Sequence, residues 1–480
     1  MVPENIRKIE RPKNTVLLPT KHGNIYMVLQ RIGCTYDKGR RIPKNGKVIG
    51  HIIDGEYVPK VKESGRKKLT ERGVSVMKYA NVAFAHAMGR SLVSELEKVY
   101  VPNDAENLYC LALMRAAFGD IKDYQVERKY RISYASVLFP HASVSKNSIS
   151  KMLSLVGRDY KGMHDFMVNR IKELVTDQTK VLIDGMLKTD TSEVNSFAGF
   201  SYKGRIKGVT DVSIIAAIDA ERKEPLCIKM YKGNLPDFVN CADFFREFSL
   251  KDGLVISDKG FPLSEAVGRQ KDAAIGFLNP IRRSSKVIRE LNLLKDREFV
   301  SDASKNILGK AARNPKDGLY YYSFLDLDRE SKEEHDYVKG KRDRLEPSKF
   351  ERKKEGFGTV TFVSNMKLTL EEVYRYYALR WEIELVFKTY KSVLSMSTTR
   401  EHDDWSVLGS EFVNFLSVIM TCRMKNKLEN LGLLSENTYG EIVDRLTDIT
   451  KTSTDAEAKR WTFSTMNKKD KELLQKLELN

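Results

Sequence analysis

Apolar and polar residues alternate in short bursts near the start of the chain, then recur at helical spacing, then alternate again. Residues 14–63 hold four alternating runs, NTVLLPT, GNIYMVLQRI, GKVIGHII and EYVPKV, divided by KHG, KNG and DGE. This predicts a small β unit that turns at those tripeptides. Its edges are basic through Lys38, Arg40, Arg41, Lys44 and Lys47, which suits either a DNA-contacting module or a solvated hairpin surface. From Ser64 to about Asp177 the spacing becomes helical, in VMKYANVAFAHAM, ENLYCLALMRAAF and SVSKNSISKMLSLVG. The last predicts a helix capped by Ser145 that exposes Lys146, Asn147, Ser150 and Lys151. It reads as a helix-turn-helix recognition segment or as an ordinary surface helix.

The chain then turns α/β. TKVLIDGM reads as a short strand ending in Asp184. VSIIAAIDA and EPLCIKMYKGN follow as strands joined by a tight turn at Asp219–Lys223, then DFVNCADFFREF as an amphipathic helix. GLVISDKGF is a strand ending in Asp258, and DAAIGFLNP is another. A meander followed by strands alternating with helices is the order of an RNase H-like sheet. After Pro280 that order breaks off into a highly charged stretch with one β-like patch, DGLYYYSFLDL, and it resumes at TVTFVSN. LTLEEVYRYYALRW follows, with Thr369 as its cap and Glu371–Glu372 in its first turn. A long helix ends at Gly432. The fold class expected is α/β: an RNase H-like core interrupted by a β-containing insertion, with a β-rich N-terminal unit and a helical DNA-binding region. The boundaries expected are 1–65 for the β unit, 66–177 for the helical region, 178–280 and 358–432 for the core, 281–357 for the insertion and 433–480 for a helical tail.

Composition narrows the partners. A formal charge of +17 spread through structured segments favours a polyanion, nucleic acid before membrane. The five cysteines show no CxxC spacing, which argues against a structural zinc site or a disulfide framework and for a reducing cytoplasm. There is no HExxH and no Walker A loop, and the first residues lack the apolar core of a signal peptide. The apolar run FVNFLSVIM is too short to span a bilayer, so no membrane partner is expected.

The chemistry gathers on YRYYALRWEIELVFKTYK, residues 374–391, which reads as one helix without Gly or Pro. Leu379, Ile383, Val386, Phe387, Tyr390 and Leu394 share one side of it. Tyr377, Arg380, Glu384, Lys388 and Lys391 fall within roughly an 80° arc of another. Surface ion pairs at i,i+4 would use the same charges. Asp184 and Asp258, however, each end an apolar strand, with a glycine within two residues. Carboxylates at neighbouring strand ends repel unless a cation lies between them. With Glu384 they would form an oxygen-only site suited to Mg²⁺. Two such ions could activate a water or hydroxyl and stabilise a leaving oxygen at phosphorus. Asp190, Asp219 and Asp237 are rivals: Asp190 reads as a loop residue, Asp219 as part of the hairpin turn, and Asp237 as the cap of the helix after Pro236.

Tyr377, Arg380, Glu384 and Lys391 match the spacing Y-x2-R-x3-E-x6-K. In this the chain resembles insertion-sequence DDE transposases of the insertion-sequence-four group. Ile183-Asp184, Gly233-Asn234 with Asp237, and Asp258-Lys259-Gly260-Phe261 add to the likeness over roughly residues 179–430, and Gly50, Asp54-Gly55 and Val58-Pro59 do so more loosely. The resemblance implies cut-and-paste DNA transposition, with Asp184, Asp258 and Glu384 as catalytic ligands of two Mg²⁺ ions, Mn²⁺ being able to substitute. It gives Tyr377, Arg380 and Lys391 the DNA backbone, and Lys388, on the same arc of the helix, is a further DNA-binding candidate. It also implies double-stranded DNA partners (terminal inverted repeats and target), a homodimer in the DNA complex, and a prokaryotic, nucleoid-associated cytoplasmic location. The chain departs from the group in GMLKTDTS after Asp184. It also departs in having only Trp381, Trp405 and Trp461, none within 281–357 where some relatives hold a flipped base. Tyr320, Tyr321 or Tyr322 would have to serve that purpose, and packing inside the insertion is their expected use. A nuclease or resolvase of the same fold, or a DNA-binding protein with a dead site, are the alternative functions.

Overall fold

The computed structural model describes residues 2–20, 25–37, 40–59, 75–192, 194–201, 204, 206, 208–235, 237–248, 250–258, 261, 263, 275–300, 306–341, 346–394, 396–399, 401–454 and 460–479. The chain divides into two compact units, one of residues 1–75 with 454–458, the other of residues 76–453 with 459–480.

The first unit is a four-stranded antiparallel sheet in the order β1 (Thr15–Pro19), β2 (Ile25–Asp37), β3 (Arg40–Ile53), β4 (Glu56–Pro59). Leu17, Tyr26, Val28 and Ile52 form its small core. The DGE turn lies where expected, with Asp54 and Gly55 both at positive φ (51° and 86°). KNG does not turn the chain: Lys44–Gly46 lies inside β3, where the pairing with β2 slips register. The KHG turn falls outside the described residues.

In the second unit a short strand, β5 (Ser75–Lys78), precedes helices where helix alone was expected. The longer helices are α1 (Ala80–Gly89), α2 (Pro102–Phe118), α3 (Lys146–Arg158) and α4 (Tyr160–Leu174). Ser145 caps α3 by accepting the Ser148 N–H at 3.2 Å.

The large sheet follows: β6 (Lys180–Asp190), β7 (Thr210–Asp219), β8 (Glu224–Lys232), the helix α5 (Asp237–Phe248), then β9 (Leu254–Ser257) and β10 (Gly276–Ile281). Further on come β11 (Glu298–Phe299), β12 (Ile307–Arg313), β13 (Tyr320–Asp326), the charged helix α6 (Leu327–Lys341) and β14 (Thr359–Ser364). After these stand α7 (Leu370–Ala378), α8 (Arg380–Lys388) and α9 (Asp404–Asn430). The sheet order is β11-β12-β13-β14-β10-β9-β6-β7-β8. β6, β9 and β10 run parallel at its centre, and the other pairings are antiparallel. The charged stretch therefore does not stand apart from the core. Its strand β13 pairs with β14 from Tyr320↔Ser364 to Leu325↔Thr359 and extends the sheet. Tyr321 and Tyr322 are buried there, as their packing role requires.

Strand alternation sorts the sheet into two faces. Val181, Ile183, Ile215, Val255 and Phe277 join Phe166 and Met167 of α4, Phe244 and Phe248 of α5, and Phe415 and Ile419 of α9. Leu182, Met186, Ile214, Ile256 and Leu278 join Leu370 and Val373 of α7, and Ile383 and Val386 of α8. Helix α9, the long helix expected before Gly432, is long and apolar enough to cross a bilayer, although its apolar run FVNFLSVIM is too short by itself. Its apolar window is 89% buried inside the protein, so it serves as the central core helix.

Helices α3 and α9 cross at two glycines. A Cβ on Gly157 would lie 1.8 Å from the Trp405 carbonyl oxygen, and one on Gly409 would lie 2.0 Å from that of Leu153. Backbone cannot rotate aside as a side chain can. Gly157→Ala or Gly409→Ala should thus cost stability at the upper end of the overpacking range, about 3 kcal/mol, read as a lowered denaturation midpoint.

Candidate active site

The candidate acids occupy one edge of the second face. β6 and β9 pair in parallel through Ile183↔Ser257, their last rung, so Asp184 and Asp258 are the next residues on adjacent strands. Alternation places Asp184 on the face of Leu182 and Met186, and carries Asp258, one residue past β9, to the face of Ile256. β6 does not end at Asp184 as expected. It continues to Asp190 against β7, with Asp184 opposite Ala216. Among the described residues the β6–β9 ladder ends at Ile183↔Ser257, while β6 continues against β7. Asp184 Oδ1 accepts the Gly185 N–H at 2.8 Å.

Glu384 follows Ile383 on α8. Burial of Ile383 and Val386 in the core beside β6 seats the helix, each such side chain contributing about 1.5–3 kcal/mol. A single guanidinium nitrogen of Arg380 lies 3.6 Å from Asp258 Oδ2 and 3.5 Å from Glu384 Oε1. The two carboxylates are about half exposed (47% and 44%), while Arg380 is 21% exposed. The guanidinium also lies over the rings of Tyr377, at 5.6 Å, and Trp381, at 5.7 Å.

The stretch 374–391 is not one continuous helix. α7 ends at Ala378 and α8 starts at Arg380, with a tight i−3 bond from the Glu382 N–H to the Leu379 carbonyl at 2.9 Å between them. Thr369 caps α7 in a capping box with Glu372. After α8 the backbone widens into a π-helical turn, Thr389–Val393. The cause is local. Thr389 Oγ1 bonds back to the Leu385 carbonyl and receives Lys425 Nζ at 2.6 Å, and Thr389 and Tyr390 are both buried in succession. The five residues expected on one arc therefore divide. Tyr377 packs on Phe362 with ring centroids 4.5 Å apart. Arg380 and Glu384 face the acids, Lys388 is exposed on the last turn of α8, and Lys391 lies in the π turn.

The rival acids are held locally. Asp190 closes β6 and is 1% exposed, accepting the Ser192 N–H at 2.6 Å and the Asn195 amide. Asp219 accepts the N–H groups of Glu221 and Arg222 in its turn, as expected, and burial raises its pKa against those bonds. α5 begins at Asp237. On α3, Lys146, Asn147, Ser150 and Lys151 are exposed as expected. Asn147, Ser150 and Lys151 line an open groove of about 420 Å³ with Asp403 and Ser406 at the start of α9.

Sequence reasoning missed a buried network beside the acids. Lys188 of β6 pairs with Glu411 of α9, each side chain 3% exposed. The Tyr390 hydroxyl donates to Glu411, and Arg115 reaches Asn414 at 2.7 Å. Two signals pointed to it: Lys188 has the inward parity of Asp184 and Met186, and Glu411 and Asn414 interrupt an apolar helix.

Among the described residues, no three acidic, His or Cys side chains are gathered closely enough to hold a metal ion as they stand. The donor chemistry of Asp184, Asp258 and Glu384 nonetheless fits a hard divalent cation. A divalent ion and the Arg380 guanidinium would compete for the last two.

Residues 175–408 match the family model described as the transposase DDE domain. That span includes Asp184, Asp258, Arg380, Glu384 and Lys391, and it supports a DNA-acting transposase. No curated protein matches the chain. Among solved structures it is similar to a chain in the cryo-EM structure of the piggyBac transposase synaptic complex with hairpin DNA, at 11% identity and a TM-score of 0.40, over 77% of this chain and 80% of that one.

Proposed function

We propose that the protein is a cut-and-paste DNA transposase of the insertion-sequence-four kind. It would cleave the ends of its element and join the freed 3′-hydroxyls to target DNA. The observation that carries this reading is the meeting of Asp184 and Asp258 at the last β6–β9 rung, with Arg380 touching both Asp258 and Glu384. The strand order β8-β7-β6-β9-β10, a meander followed by two parallel strands, supports an RNase H-like core.

Asp184, Asp258 and Glu384 would hold two Mg²⁺ or Mn²⁺ ions, which when bound supply a deprotonated nucleophile and charge stabilisation at phosphorus. The protein's own part is positioning. Arg380, displaced toward an incoming phosphate, offers a planar fork of donors to its oxygens. Lys388 and Lys391 add positive charge along the DNA backbone. Tyr377, packed on Phe362, fixes the floor beneath Arg380. Water attacks phosphorus first and releases a 3′-hydroxyl. That hydroxyl then attacks a second phosphodiester at the same site, so no covalent enzyme intermediate forms. A homodimer bridging two element ends would allow paired joining in the cytoplasm of a prokaryote.

The test uses the DNA flanking the gene, searched for inverted repeats. With Mg²⁺ the protein should nick at the repeat tips, and it should join a pre-cleaved 3′-end to an unrelated duplex. Nicking without joining would favour a nuclease or resolvase. DNA binding without metal-dependent nicking would favour a dead-site binding protein.

A further inference from the structure

The N-terminal sheet is four strands wide over only part of its length. β1 pairs with β2 from Thr15↔Gln30 to Pro19↔Tyr26, and β4 pairs with β3 from Gly50↔Pro59 to Ile53↔Glu56. The small core of Leu17, Tyr26, Val28 and Ile52 belongs to that wide part. Beyond it, among the described residues, β2 and β3 pair only with each other, from Arg31↔Asn45 to Asp37↔Arg40. At the strand rise of 3.3 Å per residue this two-stranded ribbon is roughly 20 Å long. Asn14 clamps its base, accepting the Arg31 N–H at 2.9 Å and donating to the Arg31 carbonyl at 3.2 Å. Register shifts at Leu29/Arg31 and Arg31/Gly33 bend and twist it there.

An isolated two-stranded hairpin is marginal in water, so a two-stranded ribbon of this length is suited to a partner. Its charge says which one. Between Arg31 and Lys47 the sequence holds Arg31, Lys38, Arg40, Arg41, Lys44 and Lys47 against the single acid Asp37. The turn at the other end of β3 carries Asp54 and Glu56 instead. At the ribbon base Arg31, Lys44, Asn45 and Lys47 are exposed, and Ile32 is 60% exposed. Cations on edge strands also guard against sheet-to-sheet pairing, but that purpose is met by charge of either sign and needs no ribbon of this length.

We propose that the Arg31–Asp37 and Arg40–Asn45 ribbon enters the major groove of duplex DNA, with Arg31, Lys44 and Lys47 seated on the flanking phosphates. The major groove, about 12 Å wide, admits a two-stranded ribbon. The deep, narrow major groove of duplex RNA does not. The inference deepens the proposed function and rests on its reading of DNA as substrate.

The experiment uses the full chain and a fluorescent duplex made from the DNA flanking its gene, titrated across a salt series. The triple variant Arg31→Glu, Lys44→Glu, Lys47→Glu keeps the edges charged while removing phosphate partners. It should weaken binding by about a hundredfold at moderate salt, and reduce the slope of log K against log salt by about 2.7, close to 0.9 per lost contact. Lys44→Gln with Lys47→Gln, milder for folding, should reduce the slope by about 1.8. Wild type should also protect guanine N7 in the duplex from methylation, and the triple variant should not. Unchanged slopes, or slopes that change without N7 protection, would overturn the proposal. The wild-type cleavage assay separates the two readings. Cleavage with unchanged ribbon slopes sinks the ribbon alone, whereas lost slopes without any cleavage sink the transposase reading alone.

Discussion

Asp258→Ala should abolish metal-dependent DNA cleavage while leaving duplex binding at or slightly above the wild-type level. Cations held by this carboxylate would contribute several kcal/mol to the transition state. At tenfold per 1.4 kcal/mol the single-turnover rate should fall by about a thousandfold or more. Binding should survive because Asp258 is half exposed at a strand end, and its removal deletes a negative charge from a surface proposed to meet phosphate. Asp184→Asn and Glu384→Gln should behave alike. Asp190→Asn is the contrast: it disturbs a buried local turn, so its effect should appear in thermal stability, with cleavage per folded molecule preserved. Full cutting by Asp258→Ala would remove that residue from the site.

Lys188→Met should be the most destabilising single substitution near the site. It leaves Glu411 buried and charged, its remaining partners among the described residues being the Tyr390 hydroxyl and the Asn414 amide. Breaking one side of a buried pair costs about 3–5 kcal/mol. Adding Glu411→Gln should restore most of the loss, because the amide still accepts from Tyr390 and no charge remains to be paired. The denaturation midpoint reports both steps. Cleavage need not recover with stability. Lys188 stands four residues after Asp184 on β6, and Tyr390 six residues after Glu384 in the π turn, so the network ties the strand bearing one acid to the helical segment bearing another. A double variant as stable as wild type yet slower in cleavage would show this tie at work. Equal recovery of both would reduce the network to a structural role.

Much of the candidate site could be read without coordinates. Asp184 and Asp258 each follow an apolar run that can only be a buried strand, and Glu384 sits at fixed spacing from Arg380 and Tyr377. These are local patterns, and local patterns survive in sequence. Thr369 and Ser145 were legible as caps for the same reason, since a cap depends on a residue and its third neighbour. The interruptions at Leu379 and Thr389–Val393 were not legible. No glycine or proline marks them, and they depend on which buried groups on β6 and α9 the helix must reach. Likewise β6 looked finished at Asp184 because its apolar run stops there, whereas its true extent follows from a long ladder with β7.

The sequence by itself determined most of the elements, their order and the chemical character of the acids, because strand alternation, helical spacing and caps are set by neighbours within a few residues. Tertiary structure alone decided that Asp184 and Asp258 are adjacent, that Arg380 stands between Asp258 and Glu384, that the charged stretch extends the main sheet, and that Lys188 meets Glu411. Each of those is a contact between residues scores of positions apart. Whether such a contact forms depends on which strands pair and which helix covers them, and that is settled by packing the whole chain at once.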